Sequence, residues 1–248
     1  MPVKCGGAPQ KIMYLSEETW RKNGVREECD VHFFTSVGNM FPNCSKYADA
    51  LLPIAQSKGI DIHFNHLIKS VDGANRTATF QNGDQAVTTN FDLLHIVPPQ
   101  TAHKFVRESA LAAGTGFVDV DQYTLRHNKY GNIFSLGDVA NLPTAKTAAA
   151  VFAQAPVVTH NIMQLQKQAE TNASFDVFSS CPLFTGDGKL MLMEFKYGGV
   201  PSETFSKNQD KPARAWYHLK KNIFAKAYWT FMPSGRWYGK STIFKPQY

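Results

Sequence analysis

The sequence predicts an α/β fold, in which a doubly wound domain of strands and helices precedes a C-terminal amphipathic region. Three observations support this fold class. Helix-like and strand-like segments alternate over residues 11–97, short apolar runs end at glycine or proline, and residues 211–248 are basic and aromatic. Hydrophobic residues make up 43% of the 248 positions and charged residues 19%, values typical of a folded chain rather than a disordered one.

The first elements are defined by apolar periodicity and by their end signals. Helices are predicted over 11–23 and 45–58, and strands over 30–37, 61–73, 76–82 and 91–97. The first helix should close at Asn23-Gly24. The second should begin on a Ser45 N-cap and end before Gly59, with Pro53 introducing a kink. The strands on either side of residue 74 should form a hairpin, and the strand, helix and strand before it fit a doubly wound domain.

The middle section, residues 117–155, contains the pattern with the clearest chemical meaning. Strands are predicted at 118–121 and 132–140, followed by an alanine-rich helix from Thr144. Gly137 lets the backbone approach a bulky ligand, and Asp138 can accept hydrogen bonds from ligand hydroxyls. The following helix would direct its N-terminal N–H groups to the same place, which favours an anionic group. The run therefore predicts a flavin contact; an ordinary turn with Asp as a cap is the alternative.

The C-terminal section combines a β-hairpin with a basic tail. The hairpin should turn at 186–188, and a helix should cover 213–232 and end at Pro233. No acidic residue follows Asp210, whereas eight lysines and arginines do. Tryptophan and tyrosine interleaved with lysine favour the surface of a bilayer, and no apolar run is long enough to cross it. A core helix and a nucleic-acid patch are the alternatives, but no nucleic-acid-binding motif is present, so no nucleic acid is expected.

The chain contains four cysteines and eight histidines. Cys5, Cys29, Cys44 and Cys181 form no CxxC pair, and no cysteine and histidine group has zinc spacing, so no metal is predicted. From spacing alone the four are buried or free thiols. The histidines are dispersed in sequence and are interpreted as structural.

Several longer motifs resemble those of the sulfide:quinone oxidoreductases of the eukaryotic mitochondrial type. These enzymes are a branch of the flavoproteins with two dinucleotide-binding domains. The resemblance lies in KCGGAPQKIMYL (4–15), KYADALLPIAQ (46–56), VDVDQYTLRH (118–127), LGDVANLPTAKTAAA (136–150) and SSCPLFTG (179–186). It implies a FAD/NAD(P)-binding, Rossmann-like architecture. The implied divisions are a second dinucleotide-binding-like domain (1–97), the C-terminal part of the FAD domain (98–165), and a β/α region with a membrane-surface anchor (166–248).

The resemblance also implies roles for individual residues. Cys5 and Cys181 would meet as a redox-active bridge that takes up sulfur from hydrogen sulfide, with the persulfide on Cys181 and Cys5 facing FAD. Lys4 would help to lower the pKa of the reactive thiol. Electrons would pass through FAD to ubiquinone, and a thiol or sulfite would accept the sulfane sulfur. The implied cofactor-binding residues are Gly137, Asp138, Val139, Lys146 and Thr147, and the implied location is the surface of the mitochondrial inner membrane.

One expected motif is missing. No G-x-G-x-x-G occurs in the 248 residues, and in the family this motif precedes the cysteine block, so the chain is expected to lack the N-terminal FAD-binding segment. Two other functions stay open. One is a flavoprotein like the type II NADH:quinone dehydrogenases, which would need the glycine motif but neither cysteine. The other is an inactive fragment that binds membrane.

Overall fold

The computed structural model of the chain describes residues 4–205 and 208–248. It is a mixed α/β structure. Its helices are α1 (Ala8–Lys22), α2 (Ser45–Ser57), α3 (Lys104–Arg107), α4 (Ala148–Gln166), α5 (Arg214–His218) and α6 (Ala225–Thr230). Its strands are β1 (Val31–Phe34), β2 (Ile60–His63), β3 (Leu67–Asp72), β4 (Thr77–Asn82), β5 (Gln85–Asn90), β6 (Ser179–Gly186) and β7 (Lys189–Phe195).

The N-terminal part contains a short parallel unit. β1 and β2 pair in parallel, with Val31 opposite Ile60, and α2 forms the crossover between them. The predicted helix ends are confirmed, because Gly24 and Gly59 both have the positive φ that a glycine after a helix adopts. Ser45 is the first residue of α2 rather than its cap, a position that Cys44 occupies. In the described residues the parallel sheet has two strands, so the doubly wound sheet is present only in part.

Two predicted strands in this part differ from the structure. The segment 61–73 is divided by Asn65, whose φ of +62° breaks the extended backbone between β2 and β3. A strand that was not predicted, β5, follows the Gly83-Asp84 turn, so the hairpin is a three-stranded antiparallel sheet in the order β3-β4-β5. Gly-Asp between extended segments is itself a hairpin signal.

The predicted strand at 91–97 is wrong. This run has no regular secondary structure, and Leu93 and Ile96 are 74% and 45% exposed. Its apolar side chains lie along a cleft instead of entering a sheet. An apolar run becomes a strand only where a neighbouring strand supplies hydrogen-bond partners.

The middle section is more irregular than predicted. The two expected strands are reduced to single bridges, which pair Val118 with Ala140, Val120 with His127, and Arg126 with Phe134. Gly137–Val139 forms one turn of 3₁₀ helix rather than a strand end. The alanine-rich helix α4 starts at Ala148, with the Thr147 side chain accepting from the backbone N–H of Ala150 as its N-cap.

The C-terminal hairpin is confirmed and forms the centre of the main core. β6 pairs with β7 across the predicted turn, placing Cys181 opposite Met193. The hairpin packs on α1 and contributes to one hydrophobic cluster with α1, α2 and β1. The largest fully buried side chains of this cluster are Tyr14, Phe41, Tyr47, Leu51, Ile60, Leu183, Met191 and Phe195.

The predicted basic helix is present as three consecutive segments. A π-helical stretch, Leu219–Phe224, joins α5 to α6, and the helical path ends before Pro233. Several large apolar side chains of this part are exposed, including Trp229 at 80%. No helix in the described part of the chain is both long and apolar enough to cross a membrane.

Candidate functional site

The structure brings Cys5 and Cys181 together. Their Sγ atoms lie 3.0 Å apart, and both are free thiols. This is a hydrogen-bond separation between sulfur atoms, roughly 1 Å longer than the S–S bond of a disulfide. Cys181 is fully buried, whereas Cys5 is partly exposed. Residues far apart in sequence thus form one sulfur pair with a buried and an accessible member.

Each cysteine is held by a different element. Cys5 precedes α1 in a turn closed by a 2.7 Å hydrogen bond from the Ala8 N–H to the Cys5 carbonyl. Its φ of +51° is unusual for a residue with a side chain, and such conformations occur often at functional sites. Its own N–H donates to the Lys146 carbonyl at 3.0 Å. Cys181 is fixed by the regular β6–β7 pairing, so the accessible sulfur lies on a strained turn and the buried one on a rigid strand.

The environment makes the two thiols unequal. The hydrogen bond from Cys181 lowers the pKa of Cys5 to about 6; burial opposes this effect, while Lys11, the Gly7 backbone and Lys220 add to it. The same hydrogen bond, together with burial and the charge of Cys5, raises the pKa of Cys181 well above its ordinary value. These opposite shifts favour ionisation of Cys5 before Cys181, with the Cys181 thiol as the hydrogen-bond donor.

The lysine expected to stabilise the thiolate, Lys4, is paired with a carboxylate instead. The Lys4 ammonium lies 3.2 Å from the carboxylate of Asp138. Lys11, on α1, and Lys220, on the π-helical stretch, are the cations that lower the pKa of Cys5. Lys11 could have been found, because it lies in the same motif as Cys5 and in the first turns of the helix that follows it. Lys220 had no such signal, since its approach depends on the fold of the tail.

The Gly137-Asp138 turn lies beside α4. Gly137 has a φ of +72°, and an added Cβ would lie 3.1 Å from Val151 Cγ2. Its N–H donates to Gln154 Oε1 at 2.7 Å. The Asp138 side chain is 41% exposed, so its carboxylate can reach a ligand as well as Lys4. Val139 is partly buried in a small cluster behind the turn.

Lys146 and Thr147 fasten this turn to the rest of the fold. The Lys146 Nζ donates to the carbonyls of Asp138 at 2.6 Å and Ala140 at 2.9 Å, and lies 3.9 Å from the centre of the Phe117 ring. Burial lowers the pKa of Lys146 to about 8. The Thr147 hydroxyl caps α4 and hydrogen-bonds Ser179 at 3.0 Å. Both polar groups are engaged by protein atoms.

The cysteine turn and the Gly137-Asp138 turn are neighbours. Lys4 forms a parallel β-bridge with Lys146, and the hydrogen bond from Cys5 to Lys146 extends it. A cleft of about 810 Å³ lies beside them, bounded by α1, the end of β1, residues 93–97 and Lys146. Within the described residues, Gln10 Oε1 and Thr144 Oγ1 are buried there without hydrogen-bond partners. These unpaired atoms, and the exposed Asp138 carboxylate on the neighbouring turn, are groups of the kind that can hydrogen-bond a flavin.

The histidines are less dispersed than their sequence positions indicated. His32 and His63 lie 3.2 Å apart through Nδ1 and Nε2, and the rings of His63 and His66 are 5.8 Å apart. Parallel pairing of β1 with β2 brings the first two together. No group of three or more histidine, cysteine or acidic residues in the described ranges could hold a metal ion.

Comparison with known proteins gives a consistent set of relatives. No family model matches the chain. It is 41% identical over 245 residues to the mitochondrial sulfide:quinone oxidoreductase of Dictyostelium discoideum, covering 98% of this chain and 54% of that protein. The corresponding protein of Schizosaccharomyces pombe is 41% identical over 256 residues, covering 99% of this chain and 56% of that protein. The chain therefore spans about half the length of the curated relatives it matches.

A solved structure shows the same fold. The sulfide:quinone oxidoreductase of the hyperthermophilic bacterium Aquifex aeolicus superposes with a TM-score of 0.77. The match covers 95% of this chain and 57% of that one, at 17% sequence identity. The irregular middle section and the short parallel unit therefore belong to an architecture that is already known.

Proposed function

The chain is homologous to mitochondrial sulfide:quinone oxidoreductases over nearly its whole length, and from this homology we propose that it handles sulfur in flavin-dependent sulfide oxidation. The observation that carries the proposal is the 3.0 Å approach of Cys5 and Cys181, with Cys5 favoured as thiolate. Thiolates are the reactive species in thiol–disulfide exchange. The short separation of the two sulfur atoms and the low pKa of Cys5 therefore support a redox role for the pair.

The proposed reaction starts from the oxidised bridge. Hydrosulfide attacks the Cys181 sulfur, the S–S bond breaks, and Cys5 leaves as a thiolate while Cys181 carries the persulfide. This direction is supported by the low pKa of Cys5, since the thiol of lower pKa is the better leaving group. A thiol or sulfite then takes the outer sulfur and leaves a thiol on Cys181. Loss of two electrons and one proton from the thiol and thiolate closes the bridge again.

FAD is the cofactor of this proposal, and it would pass the two electrons on to ubiquinone. Asp138 would accept hydrogen bonds from its hydroxyl groups, and Gly137 would leave room for it beside α4. Lys146 would place a positive charge behind the same edge, and Val139 and Thr147 would hold the turn in position. The backbone hydrogen bond from Cys5 to Lys146 supports this arrangement, because the Lys146 side chain contacts the Gly137-Asp138 turn.

The C-terminal helices are proposed to rest on a membrane surface, where a lipid-soluble quinone is found. Trp229, Ile223 and Tyr228 expose large apolar surfaces on a segment whose charged side chains are all basic. Aromatic side chains favour the headgroup region, and lysines and arginines pair with anionic lipids. By homology with mitochondrial proteins, the mitochondrial inner membrane is the proposed site.

A half-reaction tests the sulfur chemistry without any flavin. The chain is oxidised with diamide, treated with sulfide, alkylated and analysed by peptide mass spectrometry. We expect one added sulfur on Cys181, and loss of that product in a Cys5→Ser variant. A Cys29→Ser variant is the control and should behave as the parent chain. An oxidised chain that forms no persulfide on either Cys5 or Cys181 would contradict the proposal.

The same preparation distinguishes the proposed sulfide oxidation from an NADH-dependent function. Supplied with FAD and a soluble quinone, a protein related in function to the NADH dehydrogenases would reduce quinone with NADH, independently of Cys5 and Cys181. The proposal predicts sulfide as the electron donor and dependence on both cysteines. Quinone reduction by NADH that survives replacement of both cysteines would favour the alternative.

Membrane binding is tested with vesicles of phosphatidylcholine and phosphatidylserine. Burial of one large apolar side chain contributes roughly 1.5–3 kcal/mol, so Trp229→Ala should weaken partitioning by roughly tenfold to a hundredfold. Phe105 is 76% exposed outside the C-terminal region, which makes Phe105→Ala a matched control that should bind as the parent does. If the parent, Trp229→Ala and Phe105→Ala proteins bind the vesicles equally, the C-terminal helices are not the surface that contacts the membrane.

A further inference from the structure

Gly7 lies where the two sulfurs meet, at the N-cap of α1. It is buried, and its φ of −88° and ψ of −8° are accessible to any residue, so its backbone conformation does not require glycine. The atoms packed around position 7 are what require glycine there. A Cβ built on Gly7 would lie 2.8 Å from Cys181 Sγ and 3.2 Å from Met193 Cε.

The crowding at this position cannot be relieved locally. Carbon and sulfur atoms in contact need separations of roughly 3.5–4.0 Å, so a methyl group on Gly7 would displace the sulfur or the helix. Cys181, Met193 and Leu183 are all fully buried on the β6–β7 hairpin, and Leu183 Cδ1 is itself 3.5 Å from the added Cβ. Core side chains packed this closely have no free volume into which the sulfur can retreat.

We propose that Gly7 is a positioning residue, whose missing side chain lets Cys181 Sγ come within hydrogen-bond distance of Cys5 Sγ. The inference deepens the proposed sulfur chemistry and rests on it for its functional meaning. Its geometric content concerns only the separation of the two thiols. The hydrogen bond that Gly7 makes possible is also the largest cause of the lowered pKa of Cys5.

Gly6 provides a matched control one residue away. It also lacks a positive φ, and a Cβ there would meet Asn43 Oδ1 at 2.9 Å. That atom ends a flexible side chain and can turn aside, whereas Cys181 Sγ cannot. Ala at either position keeps the backbone N–H, so neither variant removes a hydrogen-bond donor, and the new methyl group touches a different atom in each.

The test measures alkylation of Cys5 by iodoacetamide against pH, using peptide mass spectrometry to identify the site. Gly7→Ala should raise the midpoint of the Cys5 titration and slow alkylation at pH 7 several-fold. Gly6→Ala should leave both unchanged. Equal Cys5 titrations in the parent, Gly6→Ala and Gly7→Ala proteins would overturn the inference.

A second arm covers the case in which Gly7→Ala does not fold. Cys181→Ala removes the sulfur that the new methyl group would strike, so Gly7→Ala placed in that background should recover much of the lost thermal stability. If Gly7→Ala destabilises the parent and the Cys181→Ala protein equally, the inference is wrong. Neither arm uses sulfide or flavin, so the inference can fail while the persulfide half-reaction succeeds, and the reverse.

Discussion

The two parts of the candidate site differ in how completely the chain builds them. The cysteine pair lies between α1 and the β6–β7 hairpin, and the groups that set the reactivity of Cys5 are already in place. The Gly137-Asp138 turn, by contrast, is a single 3₁₀ turn beside α4 with a half-exposed carboxylate, and the sequence contains no G-x-G-x-x-G motif. The cysteine pair is therefore surrounded by the groups that set its reactivity, whereas the turn proposed to contact the flavin is open on its exposed side.

The largest effect is expected from a substitution that removes the buried thiol. Cys181→Ala deletes the hydrogen bond that does most to lower the pKa of Cys5, so that pKa should rise towards the ordinary thiol value of about 8.5. Alkylation of Cys5 at pH 7 should slow by roughly tenfold or more. Cys44→Ala removes another buried thiol of the same core and should leave the Cys5 rate unchanged. Similar rates in both variants would show that the pair is not coupled.

The pH dependence of the parent chain gives the next largest effect. The pKa of Cys5 is lowered to about 6, so the thiolate forms as the pH rises through that value. Alkylation should increase between pH 5 and 7 and level off above pH 7, whereas an ordinary thiol would still be gaining reactivity at pH 8. A midpoint above pH 8 would place Cys5 among unperturbed thiols.

The next comparison removes one positive charge from each region and measures the effect on the Cys5 titration. Lys11→Met removes a positive charge that lowers the pKa of Cys5, so alkylation at pH 6 should slow about two- to fivefold. Lys4→Met breaks an exposed pair with Asp138, which contributes at most about 1 kcal/mol to stability. It should leave the Cys5 titration unchanged. If both substitutions slow the alkylation of Cys5 equally, Lys4 also stabilises the thiolate.

The last comparison measures stability rather than thiol reactivity, and it lies in the other region, at Gly137. Gly137 and Gly24 have φ values of +72° and +74°, but only Gly137 has a side chain, that of Val151, close to the position of an added Cβ. Gly24→Ala should lower the free energy of unfolding by about 1 kcal/mol, and Gly137→Ala by about 1–3 kcal/mol more. Chemical denaturation measures both. Equal losses would mean that the turn is not packed tightly against α4.

The features predicted correctly from the sequence are those with local signals. The end of α1 at Gly24, the end of α2 at Gly59 and the turn between β6 and β7 each depend on residues within a few positions of one another. The strand predicted at 91–97 failed because an apolar run does not reveal whether a partner strand is present. The strands at 118–121 and 132–140 shortened to bridges for the same reason.

The candidate site likewise contains features that could be predicted and features that could not. The meeting of Cys5 with Cys181 was expected only from the family resemblance, because no spacing rule links residues so far apart. The roles of Lys11, Lys220 and Gly7 depend on the packing of α1 against the hairpin and the tail, and they became visible only in the structure. Contacts that depend on tertiary packing lie beyond local pattern reading.

The most direct test of the central claim is to identify the bridge itself. The folded chain is oxidised mildly with diamide, remaining thiols are blocked, and the protein is digested without reduction and analysed by mass spectrometry. We predict one dominant cross-linked peptide joining Cys5 to Cys181, with Cys29 and Cys44 alkylated, and release of that cross-link by dithiothreitol. Free Cys5 and Cys181 after oxidation, or cross-links distributed among all four cysteines, would contradict the account.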